Sequence, residues 1–348
     1  MNLFKNFHKN VGVDLGTANT LLYLKGQGIV VNEPTLVALH SKTGEVLSVG
    51  NEAKKMLDRT PAHISLIRPL VNGVISDFEV TEEILKYFLR KAAGKGLFSR
   101  YRVAAISVPT NLTEVERKSV EDAMISAGAG KVYLVEAPIA AAIGARLPVE
   151  EPASNMVIDI GGGTTEISII SVGGAVKSKS LKVAGDKFND DIIKSIKEDY
   201  QLLIGEPTAE ELKISIGSAL PTDEKLEMVV RGRDMATGLP KEIIIKDAHI
   251  RNVLHRSLRA IVEAVKALIE ESPPELVGDI LKRGIHMSGG GSLLRGISKY
   301  IEKEITVTTN VVDDPLTCVV RGLGMIIEDM PRYEKILSNQ QKPRPIVL

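Results

Sequence analysis

The sequence predicts an α/β fold made of two related halves. Three observations carry this reading. Strand-like and helix-like segments alternate along the whole chain. A strand, a turn of small residues and a second strand occur twice: Val11-Gly12-Val13-Asp14 with Gly16-Thr17-Ala18-Asn19-Thr20 and residues 21–24, then Met156-Val157-Ile158-Asp159 with Gly161-Gly162-Gly163-Thr164-Thr165 and residues 167–170. The aspartates ending the two first strands stand 145 positions apart, a domain-sized interval. The 348 residues fit about two domains at roughly 150 residues each.

Between the hairpins, residues 113–127 (TEVERKSVEDAMISA) have the pattern of an amphipathic helix, with Thr113 as cap and Glu116 at capping-box spacing. Glu136-Ala137-Pro138 opens an Ala/Ile helix ending at Gly144, and Asp313-Asp314-Pro315 is predicted to open another ending near Gly322. This second pair is a fainter echo of the repeat. Residues 183–216 are mostly helical, with a new helix from Pro207-Thr208. Residues 226–230 and 242–245 are strand-like around a turn at 234–240, and residues 249–271 form a long amphipathic helix stopped by Pro273-Pro274. Residues 284–286 read as a strand that passes through Gly289-Gly290-Gly291-Ser292 into a helix from Leu293. After Pro331 the chain, with Gln340-Gln341-Lys342-Pro343-Arg344-Pro345, is predicted to be loosely ordered.

Composition narrows the function classes. Forty-four basic residues balance 44 acidic ones, so no whole-molecule field draws the chain to nucleic acid or anionic lipid. The single cysteine, Cys318, excludes an internal disulfide, and the six histidines show no metal or triad spacing. No apolar run approaches the roughly 20 residues of a bilayer span, and residues 1–10 lack the apolar core of a signal peptide. A cytoplasmic location is expected.

Each hairpin closes its first strand with a carboxylate and turns through residues with little or no side chain. Such a turn lets backbone N–H groups approach a polyphosphate, with Thr17, Thr20 and Thr164 as further donors. Asp14 and Asp159 then stand where a hydrated Mg²⁺ on those phosphates needs an anionic anchor. Either hairpin alone is read equally well as a tight β-turn; recurrence favours a clamp on one ligand. A Walker A loop is absent, and the third glycine cluster fails the dinucleotide-binding fingerprint because Leu294 occupies its last glycine position.

These stretches, with NEPTLVAL (32–39), RPLVNGVISDF (68–78), EAPIAAAIG (136–144), RGRDMATGLP (231–240) and MSGGGSLLRG (287–296), resemble the actin, Hsp70 and sugar-kinase ATPase superfamily, and within it the MreB family of bacterial actins. The resemblance implies an actin-like fold of two ribonuclease-H-like halves, each with a smaller inserted subdomain, around a nucleotide cleft. The implied division is IA (1–32, 68–145 and 312–348), IB (33–67), IIA (146–181 and 247–311) and IIB (182–246).

By the same resemblance, Gly16, Thr17, Ala18, Asn19 and Thr20 with Gly161, Gly162, Gly163 and Thr164 hold the β- and γ-phosphates of ATP, and Asp14 and Asp159 surround Mg²⁺ through water. Glu210 and Lys213 flank the adenosine; their i,i+3 spacing alone equally suits a solvated ion pair. Gly289, Gly290, Gly291 and Ser292 bed the adenine and α-phosphate side.

The family attributes hydrolysis to a water held by a glutamate just before the helix-opening proline, helped by Thr164. Here that position is Ala137, and the neighbouring carboxylate is Glu136. Tight ATP·Mg²⁺ binding with slow hydrolysis follows as the expectation, unless Glu136 takes over the role.

Leu97-Phe98 on a glycine-flanked basic loop, and Leu3, Phe4 and Phe7 beside Lys5 and Lys9, suit a lipid interface, although such residues also pack on cores. The resemblance implies membrane-associated cytoplasmic filaments of the chain with itself, on the inner face of the cell membrane, with membrane-anchored cell-shape and cell-wall-synthesis proteins as partners and no nucleic acid. Two alternatives are a small-molecule kinase, which needs a base and a second-substrate pocket not found here, and an Hsp70-like ATPase. The latter needs a substrate domain after Gly322-Leu323-Gly324, where only residues 325–348 follow.

Overall fold

Val11 and Val13, with Leu22 and Leu24 on the paired strand, place their side chains against Ile84 and Phe88 of a following helix, so alternation along the first hairpin becomes one buried sheet face. The computed structural model describes residues 9–57, 59–94 and 101–340. Leu3, Phe4, Phe7, Leu97 and Phe98 lie outside the described residues.

The first lobe begins with β1 (Lys9–Leu15), β2 (Asn19–Leu24) and β3 (Gly28–Pro34), followed by a small sheet of β4 (Val37–His40), β5 (Val46–Val49) and, after the short α1 (Asn51–Lys54), β6 (Ile64–Ile67). A two-residue turn joins β7 (Leu70–Val71) to β8 (Val74–Ile75), and α2 (Phe78–Ala93), β9 (Tyr101–Val108), α3 (Glu114–Ser126), β10 (Ala129–Glu136) and α4 (Ala137–Gly144) complete the run. Thr113 and Glu116 form the expected capping box on α3.

The second lobe opens with β11 (Asn155–Ile160), β12 (Thr165–Ser171) and β13 (Gly174–Leu181). Next come α5 (Gly185–Tyr200), β14 (Leu202–Leu203), α6 (Glu206–Ile216), β15 (Glu227–Asp234), β16 (Pro240–Lys246), α7 (Asp247–Glu270) and α8 (Pro274–Arg283). It closes with β17 (Ile285–Ser288), one 3-10 turn (Gly290–Leu293), α9 (Ile297–Ile305) and β18 (Thr309–Val311); α10 (Cys318–Glu328) and α11 (Glu334–Gln340) return to the first lobe.

The two large sheets have the same plan. An antiparallel meander (β1-β2-β3; β11-β12-β13) is extended on its first strand by two parallel strands (β9, β10; β17, β18). One apolar cluster serves both sheets, from Ala105 and Val135 of the first to Val157 and Ile170 of the second, with α4, α10 and α11. Where α4 and α10 cross, Gly144 and Gly322 face each other's backbone: a methyl on Gly144 would sit 1.9 Å from the Cys318 oxygen, and one on Gly322 would sit 1.8 Å from the Ala140 oxygen.

Three expectations are corrected. Asp313-Asp314-Pro315 does not open a helix: Asp314 takes φ 47°, the Pro315 carbonyl accepts the Gly289 N–H, and α10 starts at Cys318 and runs on to Glu328. The helix expected from Leu293 is a 3-10 turn followed by α9 from Ile297. Residues 334–340 are helical rather than loose, because Tyr333, Ile336 and Leu337 bury in the shared cluster.

Candidate functional site: a cleft between two glycine turns

The two repeated hairpin turns face each other. Without side chains at 162 and 163 the backbones meet closely: a methyl on Gly162 would lie 2.8 Å from Ala18 Cβ, and one on Gly163 would lie 2.6 Å from Thr17 Oγ1. Between and behind them opens a cleft of about 470 Å³, a volume suited to a nucleotide-sized ligand.

Each central strand delivers its aspartate to the floor, and each aspartate is held by a serine at or next to the end of the neighbouring parallel strand. Ser107 Oγ donates to Asp14 Oδ1 at 2.7 Å, and Ser288 Oγ donates to Asp159 Oδ1 at 2.7 Å. Burial raises Asp14 to about 6 despite Ser107. Burial raises Asp159 to about 7, with Asp14 adding repulsion. Two desolvated carboxylates kept near each other carry an electrostatic cost that a cation would relieve.

Gly16, Thr17, Ala18, Asn19, Gly161, Gly162, Gly163 and Thr164 line the cleft. Thr20 does not: it is buried, with its hydroxyl 2.8 Å from that of Thr35. Glu210 and Lys213 both reach the wall, 3.5 Å apart, with Asn189 donating to Glu210 and Lys213 donating to the Gly185 carbonyl. Burial pushes Glu210 upward, but Lys213 and Asn189 outweigh it and hold the carboxyl below its ordinary value. Gly289, Gly290 and Gly291 line the far end, whereas Ser292 turns its hydroxyl back to the Gly289 carbonyl. Ile214, Leu293 and Leu316, each more than half exposed, rim that end with apolar surface.

Ala137 is on the cleft wall and Glu136 is not; Glu136 sits buried at the cap of α4. The one-residue offset between them therefore separates a cleft position from an interior one.

Sequence reasoning missed several residues that line or support the cleft. Glu166 is buried on the wall, accepting from Thr110 N and Oγ1 in the first lobe and from Ser180 Oγ in the second. Asn72 and Gly73, with φ 52° and 76°, make the two-residue β7–β8 turn, an Asn-Gly signal visible in the sequence. Its Gly73 N–H donates to Thr17 Oγ1 at 3.1 Å, placing the turn against the first glycine hairpin. Ser107, one residue from the end of β9, and Ser288, the last of β17, sit on apolar strands, but only long-range strand pairing brings them to the aspartates.

Two lobes of one topology, each presenting a strand-end aspartate and a glycine turn to a shared cleft, define the actin-like class. The model of the family described as MreB/Mbl protein matches residues 8–335. The chain belongs to the MreB/Mbl family. It is 47% identical over 329 residues to the cell shape-determining protein Mbl of Bacillus subtilis, covering 94% of this chain and 98% of that one. Against the cell shape-determining protein MreB of Escherichia coli K12 it is 45% identical over 326 residues, 92% and 94% of the two chains. MreB 5 of Spiroplasma citri bound to AMPPNP superposes with a TM-score of 0.90 at 38% identity, covering 95% of this chain and 99% of that one. The MamK double helical filament shares the fold, with a TM-score of 0.78 at 22% identity over 92% of this chain and 99% of that one.

Proposed function

We propose that this chain binds ATP with Mg²⁺ in the cleft, polymerises with itself into filaments on the inner face of the cell membrane, and helps determine cell shape by organising cell-wall synthesis. The observation that carries the reading is the pair of glycine turns facing each other over the buried Asp159 and the half-buried Asp14. Backbone N–H groups at both turns suit the β- and γ-phosphates, and the apolar rim of Ile214, Leu293 and Leu316 suits a base, with Glu210 and Lys213 beside the ribose. Solved relatives bound to AMPPNP and to ADP support nucleotide binding, and relatives named cell shape-determining proteins support the cellular role. The filament named for MamK supports self-association.

The donor set fits magnesium. Among the described residues no group of three or more His, Cys, Asp or Glu is arranged around a metal, and Mg²⁺ on a polyphosphate needs only one or two carboxylates with water and phosphate oxygens. Asp14 and Asp159 would hold it, fixed by Ser107 and Ser288. When bound, the ion neutralises charge developing on the phosphates.

The chain's own contribution to hydrolysis is positional. Thr164 and Ala137 both line the cleft; in this reading Thr164 helps orient a water while Ala137 offers no carboxylate, so turnover is slow. Ala137→Glu is expected to raise phosphate release by about 10-fold, because a positioned acid–base group is worth at least that much. Equal turnover in the two proteins under the same assembly conditions would remove Ala137 from this account.

Among the described residues no helix is long and apolar enough to cross a membrane; membrane contact is assigned to Leu97-Phe98 and to Leu3, Phe4 and Phe7 on their apolar-among-basic sequence pattern. A few buried apolar side chains hold a monomer weakly and a filament firmly, by multivalency. Electron microscopy of the protein with ATP and lipid vesicles tests the whole reading: paired filaments on vesicles are expected, and soluble monomers in every nucleotide state would sink it. In the same experiment, Leu97→Ser with Phe98→Ser is expected to leave filaments in solution and deplete them from vesicles.

A further inference from the structure

Arg68 stands just before the β7–β8 turn, in the first lobe, and its guanidinium crosses to the second. Nη2 lies 2.6 Å from Glu206 Oε1, at the first position of α6, and Nη1 lies 3.6 Å from Asp186 Oδ1, in the first turn of α5. All three side chains are about one-third exposed, which places the cluster at the rim rather than inside the floor. Asp186 is itself a cleft-wall residue, and its backbone N–H donates to the Gly162 carbonyl at 2.8 Å. The cation is thus linked, through one residue, to the second glycine turn.

The segment carrying Arg68 meets the second lobe again four residues later, where a methyl on Gly163 would lie 3.0 Å from the Asn72 backbone. Residues 68–73 therefore bridge the lobes at two points, one ionic at the rim and one steric between the glycine turns. Glu166 with Thr110 bridges them a third time, deeper and through buried hydrogen bonds. Of these, the ionic bridge is the one that water and salt can reach.

We propose that Arg68 is a positioning residue that latches the two lobes over the nucleotide and sets its rate of release. Two carboxylates at the mouth would repel each other and a departing or entering polyphosphate; the guanidinium neutralises one charge and ties both to the opposite lobe. Arg68 itself is not on the cleft wall, so the chemical step on bound nucleotide is not its business. The release rate rests on the nucleotide-binding reading above; the lobe latch does not.

The test uses the full chain with two readouts. Spin labels at Lys42→Cys and Lys225→Cys, exposed positions in the two lobes, report the distance between lobes without nucleotide. Stopped-flow release of a fluorescent ATP analogue reports the latch with it. Arg68→Gln is expected to broaden the distance distribution and to speed release roughly 3- to 10-fold, the scale of two partly exposed ion pairs. Arg68→Lys should fall between, since an ammonium serves one carboxylate at a time. Raising salt should move the parent protein toward Arg68→Gln and move Arg68→Gln itself less. Identical distance distributions in the parent and Arg68→Gln would overturn the latch. So would release that responds equally to salt in both. Spreading lobes in a protein that binds no nucleotide would leave the latch standing and sink the ATP reading instead.

Discussion

Asp159→Asn is expected to weaken Mg²⁺-dependent ATP binding by about 10- to 100-fold, the loss usual when a group that holds a metal through its outer shell is removed. The same substitution should raise the melting temperature of the nucleotide-free protein. Both results follow from the carboxylate's surroundings. Burial, and the neighbouring Asp14, raise it from the ordinary 3.8 to about 7, against the pull of Ser288. Between those values the folded protein keeps a proton that the unfolded chain has released. The group's contribution to stability therefore falls as pH rises through that window, and its cost is complete above it.

At pH 8 the amide removes this cost while still accepting the Ser288 hydrogen bond, but it offers the cation no charge. Calorimetric titration with Mg²⁺·ATP and thermal unfolding with and without it measure the two effects together. Unchanged affinity would take Asp159 out of the site, and a lower melting temperature without nucleotide would show that its charge is not a burden. Function and stability are opposed at this residue, as is common where a site is built before its ligand arrives.

Gly322→Ala, or Gly144→Ala, is expected to destabilise the protein by about 3 kcal/mol, at the upper end for overpacking. The obstacle in each case is a backbone carbonyl less than 2 Å from the added methyl, and no rotamer change can clear it. The helices α4 and α10 must move apart, which strips contacts from Ile139, Ile143, Leu323 and Ile326 in the cluster shared by both lobes. Once the first alanine has separated the helices, the second meets less resistance, so the double variant should cost clearly less than the two singles added. Gly278→Ala in α8 is the control: nothing lies within 4 Å of its methyl, and the gain in helix propensity should stabilise by about 0.5–1 kcal/mol. Denaturant unfolding of the four variants beside the parent decides it, and additive losses would mean that the crossing does not open as one unit.

The parts of the fold legible beforehand are those written in local residues. The glycine turns after Asp14 and Asp159 and the Thr113–Glu116 capping box are short-range patterns, and they stand where expected. What escaped depends on partners far along the chain. Ser107 meets Asp14 only because β9 pairs with β1, and Ser288 meets Asp159 only because β17 pairs with β11. The acidic-proline pair at 313–315 has the composition of a helix start, but docking of Pro315 onto Gly289 holds it as a turn. At 333, 336 and 337 the helical spacing of Tyr, Ile and Leu was present; the Gln and Pro residues beyond it masked a segment that tertiary burial makes helical.

The crossing of α4 and α10 also has a consequence for how the chain is made. The first lobe's sheet is complete once β10 has emerged, yet the helix that lies against Gly12 on its far face, and against α4, begins only at Cys318. Until then the side of α4 that meets α10 and the back of the sheet stay open to water and to neighbouring nascent chains, while β11 and β12 can cover only another part of α4. The first lobe is thus begun first and sealed last. Slow translation or truncation between Gly144 and Cys318 prolongs that exposure, which opens a route to aggregation during synthesis that the finished fold does not show.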